Sequence, residues 1–249
     1  MAKQSGLGDN LYVGGYDLSG DIGSLSRIGG GPAALEVTGI DKSAIERLGG
    51  IRDGSIAFSS FMNDSAGQAH VRLRTLPTAD VGVFYARGTT LGNAAACLVG
   101  KQIEYDGTRA ADGMLTFATQ AQANAFGLEW GIQGTAGKRT DTTATAGTAI
   151  DFGAAAAAQE FGLQAYLQVF SFTGTSCTVA IQESSNNGAD AYVNVTGGVF
   201  AAASAIGTQR IQTARTLAVE RYLKVTTSGT FSECTFAVAI MRNESLVDF

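Results

Sequence analysis

The sequence predicts a mainly β protein in two domains, residues 1–153 and 154–249, and three observations carry that reading. Polar and apolar residues alternate with a period of two over many short runs, the pattern of strands with one buried face. Thirty-three glycines stand against two prolines, which suits many turns and closely spaced backbones. Finally, Tyr166-Leu167-Gln168-Val169-Phe170-Ser171-Phe172-Thr173-Gly174-Thr175 and the run 177–181 are echoed by Tyr222-Leu223-Lys224-Val225-Thr226-Thr227-Ser228-Gly229-Thr230 and the run 234–240. Two similar hairpins at opposite ends of one domain are expected from that echo, in a C-terminal β-sandwich of jelly-roll or immunoglobulin-like kind.

Taken in order, residues 12–17, 22–28 and 33–37 read as short strands and an extended arm, separated by Gly14-Gly15 and by Gly29-Gly30-Gly31-Pro32. Residues 41–48 carry Ser43 and Glu46 at capping-box spacing with Gly49-Gly50 behind them, so a helix of one or two turns is expected. Residues 55–62 alternate as a strand. Residues 66–76 fit an amphipathic flanking helix that stops before Pro77, because the residue preceding a proline leaves the α region. A strand returns at 81–85. Between 138 and 159 Thr, Ala and Gly dominate, including the alanine run 154–158; this reads as a linker or a pair of loose connections and places the domain boundary. Asn186-Asn187-Gly188 signals a turn, and 210–219 a middle strand.

The longest signal is a hairpin over residues 94–125. Its first arm shows Val99, Ile103 and Tyr105 on one face and Gln102, Glu104 and Asp106 on the other. After a turn through 107–113, the second arm sets Leu115, Phe117, Ala121 and Ala123 against Thr116, Ala118, Gln120 and Gln122. Each arm exceeds the usual strand of about five or six residues. A polar face that long calls for a water-filled bore or a neighbouring subunit.

Composition narrows the function. A net charge of −5 argues against a surface built to grip nucleic acid, which needs clustered Lys and Arg. Neither a secretory leader nor a run near the roughly twenty apolar residues of a membrane span is present, so the protein is expected in a cytosol. Cys97, Cys177 and Cys234 lie in apolar alternating runs without a CxxC and are expected as buried thiols. His70 has no evident partner that would make it a general base. Glu36 with Asp41, and Glu104 with Asp106, read as solvated carboxylates, since no calcium-loop pattern surrounds them. The glycine clusters lack the Lys-Ser/Thr or GxGxxG order of phosphate cradles. Trp130 and Tyr166 could stack on a sugar, or serve a core or interface. No catalytic residue, metal ligand or cofactor is expected.

Several blocks together carry a resemblance. Val37-Thr38-Gly39-Ile40-Asp41-Lys42-Ser43-Ala44-Ile45-Glu46-Arg47-Leu48-Gly49-Gly50-Ile51-Arg52-Asp53-Gly54, followed by Phe58-Ser59-Ser60-Phe61, resembles the major tail proteins that form the tail tube of long-tailed bacteriophages. So do Arg87-Gly88-Thr89-Thr90-Leu91-Gly92-Asn93-Ala94, Tyr105-Asp106-Gly107-Thr108-Arg109 and Phe126-Gly127-Leu128-Glu129-Trp130-Gly131. The likeness covers nearly the whole N-terminal region, while the C-terminal half is similar to the outer β-sandwich modules that some of these proteins carry.

The resemblance implies an N-terminal tail-tube domain, a β-sandwich or barrel with a flanking helix and the long hairpin, that assembles as hexameric rings stacked into a tube. The hairpin would then help close a β-barrel conduit for the genome, lined by Gln102, Glu104, Asp106, Thr116, Gln120 and Gln122, with Lys101 facing away. Further implied partners are the tape measure protein and DNA in the lumen, tail terminator and distal tail proteins at the ends, and a weak glycan contact through the C-terminal domain. The N-terminal arm and residues 138–153 would make contacts between rings. Localisation would be the virion tail, after assembly in the host cytoplasm. Two alternatives stand beside this reading: a capsid decoration or head protein, and a carbohydrate-binding module.

Overall fold

The structure, a computed structural model, describes residues 5–153 and 158–247. It is mainly β, as the alternation predicts. In chain order the first strands are β1 (Asn10–Val13), β2 (Tyr16–Asp17), β3 (Ile22–Glu36), β4 (Arg47–Phe61), β5 (Val81–Ala86), β6 (Ala94–Arg109) and β7 (Leu115–Ala123). There follow β8 (Glu129–Gln133), β9 (Arg139–Asp141), β10 (Ile150–Asp151), β11 (Leu163–Ser184), β12 (Val193–Val199), β13 (Gly207–Gln212) and β14 (Tyr222–Arg242). A single α-helix among the described residues, α1 (Ala69–Leu73), lies between β4 and β5 in sequence. The chain divides into two compact units: Met1–Gly20, Gly82–Cys97 and Glu129–Phe249 form one, and Asp21–Val81 with Leu98–Leu128 the other. The boundary expected at 153/154 adjoins residues 154–157, which lie outside the described residues.

The first unit is organised by β11 and β14, which pair antiparallel from Leu163↔Arg242 to Ser184↔Tyr222. The echoed blocks are therefore not two hairpins. Each is one long strand bent in the middle, and the register shifts around Gly174 mark the bend. Gly174 has φ +149° and a Cβ there would meet Phe231 Cα at 2.4 Å; Gly229, φ +116°, is equally tight against Ser176 O at 2.4 Å. A side chain fits at neither position, so each glycine marks a corner rather than a turn. Beyond the bend the two halves enclose one core: Leu163, Leu167 and Val238 belong to the same cluster as Val179, Ile181 and Val225.

Residues 138–151 are fixed rather than loose. Arg139–Asp141 pairs with Cys234–Phe236, Gly147 N–H donates to Val225 O, and Ile150 pairs with Leu223. Small residues there permit close packing on β14, which composition alone confuses with flexibility. The middle strand expected over 210–219 lies instead at Gly207–Gln212 and pairs with β11. All three cysteines are free and buried.

In the second unit β3, β4, β7 and the far part of β6 form an antiparallel sheet in that order. Ile56, Phe58 and Ala121 are buried in this unit together with Ala69 and Leu73 of α1. Asp21 fixes the start of α1: its carboxylate accepts from Asn63 Nδ2 at 2.7 Å and from Ala69 N–H at 2.9 Å, supplying a partner to one of the unpaired donors of the first turn.

Two helix expectations change. Residues 41–48 form no helix; Arg47 and Leu48 are already in β4, paired with Glu36 and Leu35. A Lys42–Glu46 ion pair of 3.6 Å does form, but no apolar face of that segment is buried, and a helix of two turns without packing is marginal in water. The expected 66–76 helix shrinks to Ala69–Leu73, with Gly67 at φ +83° before it and Leu76 at φ +41° after it.

Candidate assembly surface

Register decides which residues share a face of the second-unit sheet. From Gly100 to Gln102, β6 opposes Ala123 to Ala121; from Glu104 to Arg109 it opposes Gln120 to Leu115. Ile103 is the extra residue of a bulge, so Ile103 and Glu104 together face Gln120. Before the bulge Lys101 shares a face with Gln122; after it Glu104 pairs with Gln120, Asp106 with Ala118 and Thr108 with Thr116. Five of the six residues expected on one face are thus brought together: Glu104, Asp106, Thr116, Gln120 and Gln122.

Gln102 is the exception and a correction. It is only 8% exposed, stands opposite Ala121, and its Nε2 donates to Leu73 O at 2.6 Å. Lys101 takes its place on the polar side, against expectation, with its ammonium 2.7 Å from Asp80 Oδ1. Hydrogen bonds from Lys101 and then Asn124 hold the Asp80 carboxyl below the usual aspartate range. Ile103, expected on one face with Val99 and Tyr105, is 57% exposed for the same reason. A regular period-two count across residue 103 shifts everything on one side of it by one position.

The other strands extend this face. Ser55 opposes Gln122, Ala57 opposes Gln120 and Ser59 opposes Ala118, while β3 adds Arg27 beside Ala57 and Ser24 beside Ser59. Gln120 Nε2 donates to Gln122 Oε1 at 2.9 Å, and Gln122 Nε2 to Asp53 Oδ1 at 2.7 Å, a ladder of short polar groups across the strands. A groove of about 630 Å³ lined in part by Arg27, Asp53, Ser55, Gln120 and Gln122 lies at one end of it. Ser24, Arg27, Ser55 and Ser59 were missed from sequence, although the alternation Ser55, Ala57, Ser59 against Ile56 and Phe58 carried the signal.

The opposite face is mainly apolar and aromatic, with Gln102, Ser60 and Thr119 buried in it. Tyr105 stacks on Phe117 with centroids 4.6 Å apart and planes 7° from parallel, and its hydroxyl lies 2.8 Å from His70 Nδ1. His70 is thus part of the packing between α1 and the sheet.

Beyond the β3–β4 pairs at Ile28↔Ile56 the two strands continue as a ribbon. Leu35, Val37, Ile40, Ile45, Leu48 and Ile51 are exposed there, and Leu35 stands directly opposite Leu48. Among the described residues β3 pairs with β4 alone, so its outer edge carries unpaired backbone groups.

In the first unit the two aromatics considered for sugar stacking part company. Tyr166 is buried, and its hydroxyl donates to Glu129 Oε2 at 2.5 Å. Burial and the Glu129 charge push its phenol far above the usual tyrosine range. Arg210 completes the cluster, donating from Nη2 to Glu129 Oε1 at 2.8 Å and from Nε to Glu129 Oε2 at 3.0 Å. Trp130 by contrast is 53% exposed.

No protein-family model matches the chain, and no curated protein matches it. Several solved structures are similar at low identity. A chain from the virion of a native gene transfer agent particle is 14% identical, with 51% of this chain and 98% of that one covered and a TM-score of 0.41. The Dit protein of phage SPP1 is 11% identical, with 94% and 99% covered and a TM-score of 0.32. A chain of the phage p2 baseplate in its activated conformation is 8% identical, with 96% and 99% covered and a TM-score of 0.33.

Proposed function

We propose that this chain is a structural subunit of a phage tail, and within the tail a tube subunit that forms stacked hexameric rings around a genome conduit. The observation that carries the reading is the polar face of the second unit, a sheet of long strands carrying Glu104, Asp106, Thr116, Gln120 and Gln122. Repetition of the sheet around a ring would pair the edge of β3 with a neighbour's β6 and remove the exposed edge, as barrel closure does. Short uncharged groups and a few carboxylates outnumber the cations on this face, Arg27 and the Lys101 paired with Asp80, so a polyanion passes with little counterion release. The apolar ribbon supports the same reading, since a two-stranded ribbon is marginal alone and gains stability when another subunit covers it. DNA and a tape measure protein in the lumen, and terminator and distal tail proteins at the ends, are the partners such a subunit would have.

The test is electron microscopy and sedimentation of the purified chain. Rings or tubes with a central bore are expected at high concentration. A protein that stays monomeric there, or forms trimers without a bore, overturns the reading, the second result favouring a capsid decoration role.

A further inference from the structure

The first unit contains a groove of its own. Trp130 and Ile132 of β8 share a sheet face with Ala94 of β6 and Ile240 of β14, because Ile132 opposes both of the latter and Trp130 lies two residues away. Arg242, two residues beyond Ile240, belongs to the same face. With Phe152 and the carboxylates of Asp151 and Glu244 these residues line a groove of about 820 Å³, within the roughly 300–1,000 Å³ of small-ligand sites. Several of the groups are held in place. Trp130 packs against Tyr85 with ring centroids 6.3 Å apart and planes at 79°, Arg242 lies over the Phe152 ring at 5.2 Å and donates from Nη2 to Val219 O, and Arg221 Nε grips Asp151 Oδ1 at 2.6 Å.

We propose that this groove binds a saccharide, with Trp130 as the stacking platform for a gluco-configured pyranose. A pyranose with equatorial hydroxyls has a flat C–H face that suits a half-exposed indole, and a rim of hydroxyls that both donate and accept. Glu244 and Asp151 accept from those hydroxyls, and the Asn93 amide, which gives one hydrogen to Arg87 O, donates its second to them. The mixture selects against other ligand classes. A wholly apolar ligand would strip water from the Glu244 carboxylate, and a phosphorylated one would be repelled by it, since Arg221 neutralises Asp151.

Trp130 is the only tryptophan of the chain, so its fluorescence reports the groove directly. The unassembled full-length protein is titrated with cellotetraose and with tetra-N-acetylchitotetraose, and a β-galactose tetramer with an axial hydroxyl is the control. A saturable emission shift is expected with at least one gluco-configured oligomer, at least several-fold weaker with the control. By calorimetry, Trp130→Ala abolishes binding and Glu244→Ala weakens it roughly tenfold while leaving the melting temperature in place. Absence of a saturable response up to on the order of 10 mM sugar overturns the proposal. So does a response that Glu244→Ala leaves unchanged, a readout that stands even where Trp130→Ala does not fold.

Discussion

Gln102 Nε2 donates to the carbonyl oxygen of Leu73 at 2.6 Å, and this one bond ties the long strand β6 to the end of α1. It also takes Gln102 off the polar face to which a regular alternation assigns it. Gln102→Ala removes a buried hydrogen bond and leaves a void beneath the helix, so a loss of about 1–3 kcal/mol is expected in urea unfolding. Gln120→Ala, on the polar face, should change stability by no more than about 0.5 kcal/mol. Equal effects at the two positions would show that the bulge is absent in solution.

The bulge also explains what sequence could and could not show. Alternation within Leu115–Ala123 carries into the structure because β7 is regular, and Glu104 and Asp106 keep a common face because both follow the irregularity. Nothing local announces the extra residue at Ile103: there is no glycine or proline at that position, and the register is set by the partner strand. The ribbon of β3 and β4 was obscured differently. Ser43 and Glu46 supply a genuine local helix signal, and the cross-strand pairs Leu35↔Leu48 and Glu36↔Arg47, formed between residues distant in sequence, override it. The echo between the blocks at 166 and 222 was real, yet repetition says only that two segments have similar shape. That they pair with each other is a long-range fact.

The exposed ribbon separates assembly from folding. Leu35→Ser with Leu48→Ser removes one half-exposed cross-strand pair, so the stability of the monomer should fall by about 1 kcal/mol or less. Oligomer formation should drop by roughly tenfold or more in sedimentation experiments, because the covering partner loses its contact. Unchanged assembly with both serines present would remove the ribbon from the interface.

Arg210 and Glu129 are 5% and 4% exposed, and their two hydrogen bonds of 2.8 and 3.0 Å join β13 to β8, with Tyr166 of β11 as the third member. Burial opposes the Arg210 charge, but the Glu129 carboxylate more than offsets it and holds the guanidinium above its usual range. Arg210→Ala strands the Glu129 charge and should cost about 3–5 kcal/mol. Replacing both partners, Arg210→Met with Glu129→Leu, should recover much of that loss, because the penalty lies in the unpaired charge more than in the lost attraction. A double variant as unstable as Arg210→Ala alone would show that packing around the guanidinium dominates.

Acid should weaken the fold at a definable point. Hydrogen bonds from Arg221 and from Gly153 N–H hold Asp151 at about 2, against a usual 3.8, and Ser184 with Ser185 N–H does the same for Asp190. Asp17 is also lowered: burial opposes ionisation there, and Lys138 and Ser19 outweigh it. In each case the folded state binds its proton less readily than the unfolded state. The stabilisation is therefore complete above the unfolded value of 3.8 and is lost as pH falls toward about 2. Burial raises Glu183, which acts in the opposite sense: its contribution is present when it is protonated and is lost as pH rises through its folded value. The melting temperature should accordingly be flat or rise slightly from neutrality down to about pH 5, then fall between about pH 4 and 2. Asp151→Asn combined with Asp190→Asn should flatten that fall, since two of the groups that drive it no longer titrate. A double variant with the same acid slope as the parent would transfer the effect to Asp17 and Asp80.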